Sequence, residues 1–462
     1  MLPMSLAQIA QVVQGRLHQV PDPDAVVAGP TVIDSRQARD GCLFVAFVGD
    51  QVDGHDFASA AVAAGAVGVL ASRPVAGPAI VVADVLDALR TLTSWTAQKM
   101  LGTTCIGVTG SSGKTSTKDL LGQVLCRSGS TIVTAGSQNN EIGVPLTVLG
   151  APSDTEYLVL EMGARGIGHL SYLTEMVPLD VSLVLNVGSA HAGEFGGREA
   201  TAQAKGELVE ALSSDGTALL NLDDPLVAAM ASRSKAPVTY FGCSPQAHIR
   251  AENVELDERG RPRFDLLTPA GKASVTLQLL GVHQVSNALA TAAVAYTLGM
   301  GTAEIADALS CAVATTGSRM QLHERADGVT VIDDAYNANP DSMAAALRAL
   351  TSVGGADRRT VAVIGEMREL GAESPAEHRA VGELAGGLGV EVVVGVGGVE
   401  AGQVVAGAAA KGAVTHLTAD RGAAADLLAG LLRPGDLVLV KASLGAGLQA
   451  LVRDLLDEST GR

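Results

Sequence analysis

Residues 104–125 constrain the chain more than any other stretch. An apolar run from Thr104 to Thr109 passes through Gly110-Ser111-Ser112-Gly113 into Lys114-Thr115-Ser116, after which Leu120, Leu121, Val124 and Leu125 recur at helical spacing. A buried strand, a glycine-rich turn and an amphipathic helix, in that order, belong to a mostly parallel α/β sheet. The glycines let the loop curl so that successive N–H groups face one anion, and the new helix points its positive end at the same place. Lys114 supplies a mobile cation for β/γ phosphates and Thr115 a hydroxyl for Mg²⁺. A full Walker pattern places glycine where this chain has Val108, so the loop is a shortened phosphate loop. Thr109, Gly110, Ser111, Ser112, Gly113, Lys114, Thr115 and Ser116 are the candidate nucleotide-binding residues; the alternative is an ordinary strand–helix turn.

At roughly 150 residues per domain, a chain of 462 residues is expected to form three domains. Residues 1–100 read as a small α/β unit, 101–316 as a central phosphate-loop domain with a mostly parallel sheet, and 317–462 as a Rossmann-like doubly wound unit. In the first, Leu6, Ile9, Ala10 and Val13 follow Ser5 at helical spacing, which argues a surface helix and not a signal peptide. In the second, strands are expected at Tyr157–Met162, Val181–Val187, Ala218–Asn221 and Val238–Phe241, with antiparallel segments from Ile249 to Leu280. In the third, Val329–Asp333, Thr360–Ile364, Val392–Val396, Thr415–Leu417 and Leu437–Val440 alternate with alanine-rich helices, without a G-x-G-x-x-G after the first strand. Aromatic residues make up only 3%, so the cores must be built from Ala, Val and Leu.

Charge excludes several function classes. Lys and Arg number 32 against 49 Asp and Glu, a net charge of −17. A broad nucleic-acid surface or a polybasic membrane anchor is not expected, and an anionic ligand must be met by a few placed cations, metal ions or backbone N–H groups. Five cysteines without C-x-x-C spacing argue against a disulfide framework or zinc site and for a reducing, cytoplasmic setting. The longest stretch free of charged residues, Ala273 to Ala303, contains Gln278, His283, Gln284 and Asn287, and reads poorly as a membrane span.

Other chemistry-bearing residues stand at predicted strand ends. Glu161 closes an apolar strand beside the phosphate loop's mouth, where a hard carboxylate oxygen suits Mg²⁺; a plain salt bridge is the alternative. His191 follows the strand expected at Val181–Val187. Lys205, in Ala204-Lys205-Gly206-Glu207, reads first as a surface lysine, though a deprotonated lysine beside metals can add CO₂ and become a bridging carbamate. Arg319 suits a phosphate contact, and Asp333-Asp334-Ala335-Tyr336-Asn337-Ala338-Asn339-Pro340 suits ribose hydroxyls or a helix cap on Asn337 or Asn339. Asp34-Ser35-Arg36 and the run Phe44 to Phe57 are polar loops beside short strands.

In this order the pieces resemble the Mur ligase family, ATP-dependent amide-forming ligases of peptidoglycan synthesis that serve cell-wall biogenesis, cell shape and division. Three runs carry the resemblance: Asn139-Asn140-Glu141-Ile142-Gly143-Val144-Pro145-Leu146-Thr147, Asp333 to Pro340, and Gly365-Glu366-Met367-Arg368-Glu369-Leu370-Gly371 with Glu377-His378-Arg379. They point to the step that adds D-alanyl-D-alanine to a UDP-N-acetylmuramoyl-tripeptide; the Asp-Asn-Pro-Arg motif usual in the sibling adding the third residue is absent. The resemblance implies a uridine-nucleotide domain, a central ATPase domain and a Rossmann-like domain, working as a monomer with ATP and two Mg²⁺. It implies that Lys114 and Thr115 bind phosphates and Mg²⁺, that Glu161 and His191 hold a second Mg²⁺, and that Lys205 is carbamylated. Asn287 falls near the adenine, Arg319 on a phosphate, and Asp333, Asp334 and Tyr336 along the nucleotide. Ser35 and Arg36 fall at the uridine nucleotide, and Asn139 and Asn140 near the peptidyl end. Lys441-Ala442-Ser443-Leu444 departs from the commoner Lys-Gly-Ser-Arg ending, and Ala-Gly-Glu-Phe-Gly after His191 from the usual spacing. The competing expectations are another Mur ligase step, a folate-type polyglutamate ligase, a phosphate-loop kinase and a non-catalytic nucleotide binder.

Overall fold

The computed structural model describes residues 2–49, 51–188, 197–355 and 357–457, and these build three α/β domains, each around its own main sheet. In the first domain the strand order is Arg16–His18, Ala79–Val81, Gly68–Ala71, Leu43–Val45 and Thr31–Val32, parallel except at the first pair. Ser5 caps the helix Leu6–Val12 reciprocally with Gln8, which fixes where that helix starts.

The central sheet runs Gly271–Thr276, Pro262–Thr268, Ile249–Leu256, Val238–Gly242, Thr217–Asn221, Val181–Val184, Thr104–Thr109, Tyr157–Glu161 and Thr131–Val133. Its last seven strands are parallel, and the first three are joined antiparallel, with Ile249–Leu256 common to both sets. Thr104–Thr109 lies between Val181–Val184 and Tyr157–Glu161. The loop after it therefore opens where the chain crosses to either side, the crevice in which open α/β sheets bind ligands. Both faces are covered. On one, the helix Gln284–Thr297 buries Ala288, Ala290, Ala292, Ala293 and Ala295 completely; small side chains let it lie close to the helix Lys114–Leu125. On the other, Leu170, Leu173, Ala204 and Leu208 close the layer.

The third domain orders its strands Gln321–Glu324, Thr330–Asp334, Leu437–Lys441, Thr360–Ile364, Val392–Val396 and Val414–Thr418, parallel apart from the first pair. The helix Pro340–Gly354 starts on Asn339, whose side chain accepts from Ser342 N at 2.8 Å, with Pro340 in its first turn. The cap expected at Asn337 or Asn339 is thus Asn339. All five cysteines are free, and no helix among the described residues is long and apolar enough to cross a membrane.

The structure departs from expectation at a few elements. Arg16–His18 and Gln321–Glu324 are edge strands without a buried face, so they carry no alternating pattern to read. Val181–Val184 ends before Val187, because Leu185 to Gly188 bend into the phosphate loop: Leu185 N donates to Thr109 O at 3.0 Å and Ser111 N to Asn186 O at 3.1 Å.

Candidate functional site

The loop between Thr109 and Lys114 is held from both neighbouring strands. Gly113 sits at φ +80°, and a Cβ there would lie 2.5 Å from Asn287 Oδ1. Both conformation and space therefore require glycine. Asn186, beyond the strand Val181–Val184, clasps Ser112 through both its amide atoms, at 2.9 Å to the N–H and 3.1 Å to the carbonyl. Gly113→Ala is expected to weaken nucleoside triphosphate binding about tenfold, the consequence of roughly 1–2 kcal/mol of left-handed strain; an equilibrium titration with nucleoside triphosphate checks it.

Lys114 Nζ rests on Gly110 O at 2.7 Å. Enclosure lowers its pKa, and Arg319 adds to this, while Glu161 and Glu369 act in the opposite sense. Glu161 is 1% exposed and pairs in register with Val108. Its Oε2 accepts from Thr115 Oγ1 at 2.9 Å and its Oε1 from Asn139 Nδ2 at 2.7 Å. Ser137 Oγ lies 3.0 Å from Thr115 Oγ1. A hydroxyl, a second hydroxyl and a carboxylate thus meet at the foot of the phosphate loop.

The third domain supplies the opposite wall. Arg319 is held between Ser318 and Met320, both at positive φ (56° and 54°). Its Nη2 donates to Ser137 Oγ at 3.1 Å and Thr115 Oγ1 at 3.3 Å, and its guanidinium covers the Tyr336 ring at 4.3 Å. Two residues held left-handed without being glycine mark a functional constraint on the arginine between them. Asp334 binds Lys441 Nζ at 2.5 Å, and Lys441 also donates to Asn337 O at 2.8 Å. Burial lowers the Lys441 pKa and Asp334 raises it. The His283 pKa is pushed down to about 4, chiefly by burial. His283 Nδ1 and Arg319 Nε are buried with no hydrogen-bond partner among the described residues, as groups awaiting a ligand would be.

These walls enclose a cavity of about 270 Å³ lined by Lys114, Thr115, Glu161, Arg319, Asp334 and Tyr336, among others. Ser111, Ser112, Gly113, Ser116, Asn139 and Asn287 also line it. Thr109 and Gly110 do not; they form the strand end and the carbonyl under Lys114. Asp333 does not line it either: its carboxylate accepts from Ser318 Oγ at 2.8 Å and Ala335 N at 3.2 Å. Asn140 caps the following helix through Ile142 N and Gly143 N. Lys205 is 2% exposed, not a surface lysine, and its pKa lies well below the usual value, through burial and then through repulsion by Lys114. His191 lies outside the described residues. Among those residues no group of three or more His, Cys, Asp or Glu is arranged to hold a metal.

Ser35 and Arg36 lie apart from this cleft, at a second cavity of about 540 Å³ walled by Phe44, Phe47 and Phe57 of the first domain and by Ile142 of the central one. Arg36 is tied to Asp34 at 2.7 Å. The residues not anticipated are Ser137, Asn186, His283 and Lys441. Asn186 lies within the strand expected at Val181–Val187, Lys441 begins the run that departs from the commoner family ending, and Ser137 stands in the polar stretch Ser137-Gln138-Asn139-Asn140.

Three family models match the chain: "Mur ligase family, catalytic domain" over residues 31–88, "Mur ligase middle domain" over 108–295, and "Mur ligase, glutamate ligase domain" over 318–444. A UDP-N-acetylmuramoyl-tripeptide–D-alanyl-D-alanine ligase of Mycobacterium tuberculosis is 45% identical, covering 100% of this chain and 99% of that protein. A crystal structure of MurF from Acinetobacter baumannii superposes with a TM-score of 0.88 at 32% identity, over 99% of both chains. The MurF ligase of Thermotoga maritima in complex with ADP gives 0.80 at 29% identity, over 94% of this chain and 98% of that one.

Proposed function

The chain belongs to the Mur ligase family, and we infer from that membership and from its cleft that it joins D-alanyl-D-alanine to a UDP-N-acetylmuramoyl-tripeptide. It is an ATP-dependent ligase that forms a carbon–nitrogen bond in peptidoglycan synthesis. The observation that carries the chemistry is the convergence of Lys114, Thr115 and Glu161 with Arg319 and Asp334 from another domain on one cavity.

A carboxylate is a poor acyl donor, because its oxygen leaves badly. Transfer of the γ-phosphoryl of ATP to the tripeptide carboxylate gives an acyl phosphate and ADP. The dipeptide amine then attacks the acyl carbon, loses its proton, and phosphate departs from the tetrahedral intermediate. The protein's contribution is alignment and charge neutralisation. The loop N–H groups and Lys114 hold the phosphates. Arg319 meets a phosphate from the third domain, and Asp334 with Tyr336 flanks the nucleoside; Asn287 braces Gly113 from beneath.

The donors suit Mg²⁺: Thr115 Oγ1, Ser137 Oγ and the Glu161 carboxylate are hard oxygens, with Thr115 Oγ1 within 3.0 Å of both others. Bound there, Mg²⁺ offsets the repulsion between phosphate and carboxylate oxygens. A second Mg²⁺ would be held by Glu161, His191 and Lys205 as its carbamate. Burial favours the neutral amine that carbamate formation requires. The apolar cavity with Ser35 and Arg36 takes the uridine nucleotide, and Asn139 reaches the peptidyl end.

Phosphate release measured with purified protein tests the reading. It is expected only when ATP, UDP-N-acetylmuramoyl-tripeptide and D-alanyl-D-alanine are all present. Sustained multiple turnover of ATP into a stable phosphorylated product of one substrate, with the other absent, would instead mark a kinase and overturn it.

A further inference from the structure

The turn Gly365 to Gly371 in the third domain is unusually well fixed. It leaves the strand Thr360–Ile364, and Gly365 N donates to Lys441 O at 3.0 Å, which sets it beside the nucleotide-facing strand Leu437–Lys441. Met367 and Leu370 are buried at 1% and 3% exposure. Met367 N donates to Nε2 of the fully buried His378 at 2.8 Å, and His378 Nδ1 donates to Ser374 O at 2.7 Å. With one ring nitrogen accepting and the other donating, His378 clamps the turn to the helix that follows it. Arg368 N is held by Ser443 Oγ at 3.0 Å.

Between the two buried anchors the turn presents two opposite charges to solvent, Arg368 and Glu369. Glu369 is forced to φ +67°, a conformation that glycine would adopt without penalty. Its negative charge is one of the influences that raise the Lys114 pKa against the lowering by burial. The Arg368 guanidinium lies on the backbone of Gly445, where a Cβ would stand 2.1 Å from Nη1, and its Nε reaches Glu366 at 3.3 Å.

The amine substrate of this reaction is a zwitterion. Its ammonium end must approach the acyl carbon beside Lys114, and its carboxylate must lie about two residues, roughly 7 Å, further out. We propose that this turn is the dipeptide's receptor: Glu369 takes the ammonium and Arg368 the terminal carboxylate, while His378, Ser443 and Gly445 are positioning residues. The proposal rests on the function inferred above and adds the determinants of its second substrate.

Initial rates with D-alanyl-D-alanine and with its C-terminal amide test it. Arg368→Met is expected to raise the KM for the dipeptide roughly 30-fold, the loss of one charge-assisted contact, with the KM for ATP and for the uridine-linked peptide within about twofold. On the amide, wild type and Arg368→Met should perform alike, and Arg368→Lys should recover part of the loss on the dipeptide. Glu369→Gln should raise the KM equally for dipeptide and amide. Equal penalties for Arg368→Met on both amines, or an unchanged dipeptide KM in Glu369→Gln, would overturn the receptor while leaving the ligase activity standing. A wild-type protein that does not turn over the dipeptide at all would overturn both.

Discussion

Lys114→Met is expected to lower kcat/KM by roughly 10³-fold, the usual scale for deleting a charged group aimed at developing phosphoryl charge, while the protein stays folded. Among the described residues Lys114 Nζ has one hydrogen bond, to Gly110 O, and burial already disfavours its charge. Removing an ammonium that the fold holds against its solvation preference should leave the melting temperature unchanged or slightly raised. Loss of activity without loss of stability separates a phosphate ligand from a structural lysine. Lys118, one turn along the same helix, is the structural case: it is 2% exposed and paired with Asp119 at 2.6 Å, and Asp119 also accepts Thr316 N on the way to the third domain. Single-turnover assays with the melting temperature of the same sample check the prediction. A Lys114→Met protein with near-native turnover would remove the phosphate loop from the mechanism.

Part of this site can be read directly from the chain, because short-range grammar creates it. A strand, a glycine loop and a helix put Lys114 and Thr115 at a phosphate, and a carboxylate ending the adjacent strand arrives beside them, as Glu161 does. Residues 333 and 334 show the same grammar working more finely. Successive strand residues face opposite ways, so Asp334 meets Lys441 in the cleft while Asp333 turns to Ser318. Other features arise only from packing over long separations. Lys205 sits in an Ala-Lys-Gly-Glu stretch that looks solvated, and its burial comes from the whole helix Arg198–Glu210 docking on the sheet. That helix is further fixed by Arg233, whose guanidinium donates to Ala202 O and Gln203 O and would collide with any side chain at Gly206. Arg319 reaches Thr115 across 204 positions, and Ser137 matters only because that arginine and Thr115 both converge on it. No local pattern encodes such meetings.

Lys205→Ala is expected to abolish most activity, and small carboxylic acids such as acetate or formate are expected to restore part of it. The Lys205 amine is almost wholly enclosed and close enough to Lys114 to be repelled by it. Two buried ammonium groups side by side are unfavourable, and Lys205, whose charge is opposed by burial and then by Lys114, loses its proton more readily than Lys114, which Glu161 and Glu369 help to keep charged. A neutral lysine amine attacks CO₂, forming an N–C bond and releasing one proton, and the product is an anion. The sign of the charge at position 205 then inverts: an anion there attracts Lys114 where an ammonium repelled it, and it offers hard oxygens to a divalent ion. Alanine removes the oxygens and leaves space into which a free carboxylate can diffuse. Rescue should therefore saturate with acid concentration and fail with amines of similar size. Lys205→Glu, whose carboxylate sits on a shorter stem, should recover less than the diffusible acids. A Lys205→Ala protein that is fully active, or one that amines rescue as well as acids do, would show that the lysine serves as a cation and not as the carrier of a carboxylate.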